Sequence, residues 1–155
     1  MKSTTLILFF CFALVLSAQK PEIKWLSFQE LETALLNEPN KVMFYFYADW
    51  CVYCKKMEND VYTKPEIKKA LANSYYAVKF NVESTDTIQF GGKKFSNLNI
   101  GKKRNAYHQI AELLARQDQK EVTLPAVVFL DKDFKIERRI FRYIPPKELS
   151  QLLED

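Results

Sequence analysis

The sequence predicts a single α/β domain in which a central mixed sheet is flanked by helices. Three observations carry that expectation. Strand and helix signals alternate along most of the chain and close with two adjacent strands and a helix. One strand, ending in Phe44-Tyr45-Phe46-Tyr47, is bulky and uncharged, as a strand covered on both faces should be. The chain then breaks at Ala48-Asp49-Trp50 and resumes as a helix that opens on Cys51 and Cys54. The 155 residues suit one domain, 48% hydrophobic and 14% aromatic residues argue for an ordered globule, and only 3 Gly argue against a loop-dominated chain.

Residues 1–18 differ in kind from the rest. Lys2 gives a positive start, Leu6 to Leu16 is an apolar run, and Ser17-Ala18 supplies small residues before Gln19. The pattern is that of a secretory signal peptide cleaved near Ala18. The run is too short to span a bilayer, which takes about 20 residues. Cys11 lies inside the leader, so the mature domain, 19–155, carries Cys51 and Cys54 alone. An exported chain with one close pair does not use disulfides as scaffolding, because the loop it closes constrains little chain. The net charge of +4 is spread through the sequence and is too dilute to point to nucleic acid as a partner.

Taken in order, Pro21 to Leu26 reads as an extended lead-in. Ser27-Phe28-Gln29-Glu30 is a capping box, followed by Leu31, Ala34 and Leu35 at helical spacing, and the helix should stop before Pro39. Lys41–Tyr47 is the buried strand, and Val52 to about Val61 is the cysteine helix. A further helix starts at Thr63-Lys64-Pro65-Glu66 with Ile67, Ala70 and Leu71 on one face. Tyr75–Val82 alternates as a strand does. Thr87 to Ser96 reads as a β-hairpin turning at Gly91-Gly92, and 97–104 as a polar loop. Asn105–Arg116 reads as a helix with Ile110, Leu113 and Leu114 as its stripe and His108 in its middle. Thr123 to Asp131 is an apolar strand opening with Pro125, a placement the first residue of a strand tolerates. Phe134–Tyr143 is a last, edge strand, and Pro145-Pro146 leads a C-terminal helix through Leu152.

The chemistry concentrates at the cysteines. Cys51 at a helix N-terminus meets unpaired N–H groups and the positive end of the dipole, which favour a thiolate. Cys54 lies one turn on, on the same face, where the sulfurs can close a small disulfide. One thiol is thus activated and exposed, and the other stands within reach to resolve the mixed disulfide it forms. A competing use is metal: two thiolates at this spacing are common zinc ligands, but a structural site needs four donors. A copper carrier would combine the pair with His108.

The run Phe46-Tyr47-Ala48-Asp49-Trp50-Cys51-Val52-Tyr53-Cys54-Lys55 resembles the active-site segment of the thioredoxin superfamily, and the strand and helix order resembles that family over nearly all of the mature chain. The resemblance implies a thioredoxin-like fold with a β-hairpin insertion, about 84–104, before the strand that opens at Pro125, and a cis peptide at Pro125 facing the cysteines. It implies thiol–disulfide exchange on protein disulfides with Cys51 and Cys54 catalytic, and with Trp50, Leu124 and Pro125 as the substrate-binding rim. The backbone at Leu124 could pair with an extended substrate. No metal or organic cofactor is implied. Val52-Tyr53 matches neither the family's strong reductants nor its strong oxidants. Where many thioredoxins carry a buried acid, this chain has Tyr45, which leaves water or Glu83 to take the proton of Cys54. Lys79 matches a family lysine.

The expectation is therefore an exported, periplasmic thiol–disulfide oxidoreductase of reducing lean. A membrane or soluble thiol protein would be its electron donor, and after signal cleavage it would not be membrane-embedded. The alternatives are the copper carrier and a non-catalytic redox-sensing module that binds through the hairpin. The basic groups Lys93-Lys94 and Lys102-Lys103-Arg104 read first as a solvated face and second as a dock for an acidic partner.

Overall fold

The computed structural model describes residues 21–118 and 121–154. The predicted signal peptide lies outside the described residues. Five strands, β1 (Trp25–Leu26), β2 (Lys41–Tyr47), β3 (Tyr75–Asn81), β6 (Ala126–Leu130) and β7 (Ile136–Ile140), form one sheet in the order β1-β3-β2-β6-β7. A separate antiparallel hairpin comprises β4 (Ile88–Phe90) and β5 (Lys93–Phe95). The helices are α1 (Phe28–Asn37), α2 (Val52–Asp60), α3 (Pro65–Ser74), α4 (Gln109–Leu114) and α5 (Pro146–Glu154). The sheet is mixed, because β3 pairs parallel to both β1 and β2 while β6 pairs antiparallel to β2 and β7.

The central position of β2 explains its sequence. It pairs with β3 on one side and β6 on the other, and Val42 to Phe46 are all buried. With both faces covered, an alternating pattern would have put polar groups into the core. Phe44 and Phe46 stack along one face, and Tyr45 and Tyr47 along the other. Burying each of the two Phe rings is worth roughly 1.5–3 kcal/mol. On the first face Phe28 packs on both Phe44 and Phe80, which ties α1 to β2 and β3.

The capping box forms as expected: the Ser27 hydroxyl accepts from Glu30 N, and the Glu30 carboxylate accepts from Ser27 N. A cap of this kind is worth about 1 kcal/mol. The hairpin turns at Gly91 and Gly92, both at positive φ, where a side chain would be strained. It is not a loose appendage. Phe90 packs against Phe28 and Phe134, and Gly91 N donates to Glu32 Oε1 at 2.8 Å.

Several elements differ from expectation: the strand read over Thr123–Asp131 spans only Ala126–Leu130, so Pro125 precedes it, and the last strand, read to Tyr143, ends at Ile140. The helix read over 105–116 spans only Gln109–Leu114, because Ala106 O accepts from Asn97 Nδ2 and His108 N donates to Val82 O. Those bonds hold the preceding backbone in the loop and leave His108 as N-cap; Leu113 is exposed and not part of a buried stripe. The last strand begins at Ile136, since the Asp131 carboxylate accepts from both Asp133 N and Lys135 N and draws Phe134 into a turn at φ 59°. The C-terminal helix runs two residues past Leu152, burying Leu153. Among the described residues no helix is long and apolar enough to cross a membrane.

Candidate functional site

Strand β2 ends at Tyr47, and Ala48 to Trp50 carry the chain across the sheet end into α2. Cys51 is the N-cap of that helix, with extended backbone, and its Sγ accepts from Cys54 N at 3.1 Å. Cys51 and Cys54 are joined as a disulfide with Cα atoms 5.2 Å apart. Cys51 thus occupies the place where the first N–H groups of the helix point outward, and one of them already addresses its sulfur. A thiolate there is stabilised by the dipole and by that N–H. Cys51 is less open than expected. It keeps 5% of its surface and Cys54 keeps none, because each sulfur covers the other and the helix start folds over both. The asymmetry nevertheless has the expected sense.

Beneath the pair lies Tyr45, fully buried, whose hydroxyl donates to Cys54 O at 3.0 Å. Burial raises its phenol far above the ordinary value, and the nearby Glu58 carboxylate adds to the rise, so Tyr45 stays a neutral donor. Glu58, one turn after Cys54, pairs with Lys79 on β3 at 3.0 Å, and the Lys79 ammonium also lies 4.4 Å above the Tyr47 ring. The position that many thioredoxins fill with an acid therefore holds a phenol tethered to the Cys54 carbonyl. The carboxylate stands at the edge with a counter-ion. This tether was missed in the sequence; its one signal is a hydroxyl in an otherwise apolar, doubly covered strand.

The rim around the disulfide is apolar and exposed. Trp50, Val52 and Tyr53 are open to solvent, and Tyr53 faces Tyr143, over which the Lys56 ammonium sits at 5.0 Å. Trp50 Nε1 donates to Glu83 Oε1 at 2.9 Å, which fixes the plane of the indole. Glu83 is thus a positioning group for Trp50. The Leu124–Pro125 bond is cis. The register Phe46↔Ala126 brings these two residues to the end of the sheet where β2 leads into the cysteines. Leu124 is half-buried and Pro125 buried.

His108 is not in this group. It is fully buried, its Nδ1 accepts from Ile110 N, and its Nε2 lies 3.2 Å from Asp86 O. With Nδ1 an acceptor, Nε2 carries the proton and donates. Both nitrogens are engaged, so the imidazole offers no lone pair to copper. Among the described residues no group of three or more His, Cys, Asp or Glu is placed to hold a metal.

A family model described as a thioredoxin-like domain matches residues 28–155, and the chain belongs to that family. The thiol:disulfide interchange protein DsbD of Escherichia coli is 41% identical over 70 residues, which make up 44% of this chain and 12% of DsbD. The chain therefore matches only a small part of that relative's length. A thioredoxin-fold protein from Helicobacter pylori superposes with a TM-score of 0.57 at 19% identity, covering 75% of this chain and 68% of that one. A structure described as DsbH oxidoreductase superposes with a TM-score of 0.55 at 19% identity, covering 86% and 83%. At such identities the two structures bear on the fold alone.

Proposed function

We propose that the protein is an exported thiol–disulfide oxidoreductase that reduces protein disulfides in the periplasm. The observation that carries this reading is Cys51 capping α2, its sulfur accepting the Cys54 N–H while bonded to a fully buried Cys54. In the reduced protein the Cys51 thiolate attacks one sulfur of a substrate disulfide and expels the other as a thiolate. The Cys54 thiolate then attacks Cys51 Sγ, restores the internal disulfide and releases the second substrate thiolate. Two electrons pass from the dithiol to the substrate, and the proton of Cys54 goes to solvent. Trp50, Leu124 and Pro125 form the rim on which the substrate chain lies, the Leu124 backbone offering strand-like pairing. A membrane or soluble thiol protein returns the electrons. The similarity to part of DsbD supports exchange chemistry, and the apolar leader at 1–18 supports export.

Two experiments test this. The reduction potential of the Cys51–Cys54 pair, measured against a dithiothreitol series, should lie near the thioredoxin end, about −270 mV; a value toward about −120 mV refutes the reducing direction. Replacement Cys54→Ser should trap mixed disulfides on Cys51 with reducible protein substrates, and failure to trap any refutes the exchange reading.

A further inference from the structure

Charge is unevenly distributed along this chain. Residues 87–111 contain Lys93, Lys94, Lys102, Lys103 and Arg104 and no Asp or Glu. Those five cations exceed the net +4 of the whole chain, so everything outside the segment sums to −1. All five are exposed, and none forms an ion pair with a described residue. Beside them, Leu98 and Ile100 are 57% and 50% exposed.

This surface is held in shape. Lys102 N and Lys103 N both donate to Asn99 O across a turn in which Gly101 has φ +72°. Asn99 Nδ2 donates to Glu112 Oε1, and buried Asn97 donates to Ala106 O. Its anchor lies at the same end of the sheet as the disulfide, since β2 and β3 run parallel and pair Tyr47 with Asn81. Asn97 Nδ2 reaches Ser84 O at 3.4 Å, and the neighbouring Glu83 holds the indole of Trp50 next to Cys51.

Resting on the function proposed above, we propose that the loop 98–104 is a docking surface for an acidic segment of the protein whose disulfide exchanges with Cys51. Unpaired cations fixed in one place raise the local concentration of an anionic partner and speed its encounter. Leu98 and Ile100, next to the cations in the same loop, give that partner a small apolar foothold. A protein fits the position better than a lipid surface, because a chain lying on this loop brings its own disulfide to the rim, whereas a bilayer makes no use of the adjoining dithiol.

The test uses three disulfides as oxidants of the reduced full-length domain, followed by Trp50 fluorescence in stopped flow. Two are synthetic peptides with the same disulfide ring, one flanked by four Glu and the other by four Lys; the third is the neutral hydroxyethyl disulfide. At low ionic strength the acidic peptide should react on the order of 10-fold faster than the basic one. The difference should close near 1 M salt, where screening acts within about 3 Å. The triple variant Lys102→Glu, Lys103→Glu, Arg104→Glu should abolish that preference and leave the hydroxyethyl disulfide rate unchanged. Equal peptide rates would overturn the proposal. So would a preference that survives in the triple variant, which would assign it to Lys55 and Lys56 beside the cysteines. Binding to phosphatidylglycerol vesicles that the triple variant loses, with no peptide preference, would reassign the loop to a membrane. If the neutral disulfide itself fails to react, it is the oxidoreductase reading that falls.

Discussion

Histidine 108 provides a stability switch whose sign and size follow from its surroundings. It is the only histidine in the chain, so its titration is not confounded by another. Burial holds its imidazole below the ordinary value; the carbonyls of Asp86 and Phe95 and the Asp86 carboxylate pull it back less strongly. Protonation would remove the lone pair that accepts from Ile110 N and place a cation against the Phe80 ring, 5.1 Å away in an edge-on contact. The unfolded chain takes up the proton near pH 6.5. Between that value and the lower folded one, the unfolded state binds more protons, so stability rises with pH. The contribution is fully present above about pH 6.5 and is lost as pH falls toward the folded value. For one proton the slope is at most about 1.4 kcal/mol per pH unit. Other groups with resolved shifts lie outside this window: Glu30 and Glu148 fall below the carboxylate range, while Arg142 and the buried tyrosines rise above their ordinary values. Urea unfolding of tag-free oxidised protein should therefore show stability dropping from pH 7.5 to 5.5 by up to about 1.4 kcal/mol. His108→Asn keeps a capping oxygen for Ile110 N and cannot titrate, so it should flatten the profile. A flat wild-type profile, or the same slope in the variant, would refute the reasoning.

Tyr45→Phe removes the hydrogen bond to Cys54 O without changing the packing volume, and should cost about 0.5–1.5 kcal/mol in urea unfolding of the oxidised protein. If that bond also pre-organises Cys54 for ring closure, each tenfold loss of effective concentration should raise the reduction potential by about 30 mV, and an unchanged stability would show that the phenol contributes nothing. Glu83→Ala frees the indole of Trp50; its fluorescence anisotropy should fall, and reaction with peptide disulfides should slow several-fold while hydroxyethyl disulfide reacts as before. Equal slowing for both substrates would place the effect on the cysteines and not on the rim.

Much of the fold was legible because its signals are local. The capping box at Ser27, Pro65 at a helix start, the double-glycine turn and the uncharged run of β2 each act over a few residues, and each formed where the pattern put it. What was misread depended on distant partners. Asn105 to His108 have ordinary helical residues, but Val82 and Asn97 claim their backbone from elsewhere in the chain and the helix starts late. Phe134 looked like strand because it is apolar, while the Asp131 side chain decided the turn. At the site, Cys51 and Cys54 were plain from spacing. The tether from Tyr45 and the bond from Glu83 to Trp50 were not, because they join residues 9 and 33 apart in sequence.

These long-range bonds hold the site from two sides. Tyr45 acts from below through β2, its hydroxyl donating to the Cys54 carbonyl. On the tryptophan side the contacts converge on Val82 to Ser84, just past β3. Val82 N donates to Tyr47 O and Val82 O accepts from His108 N, Glu83 binds Trp50, and Ser84 O accepts from Asn97. The basic loop, the buried histidine and the tryptophan plane therefore share three consecutive residues, and through Val82 N and Tyr47 O these residues also hold the end of the strand that leads into the cysteines. A disturbance at His108 or Asn97 therefore has a short route to the loop and to Trp50, the residue bonded to Cys51.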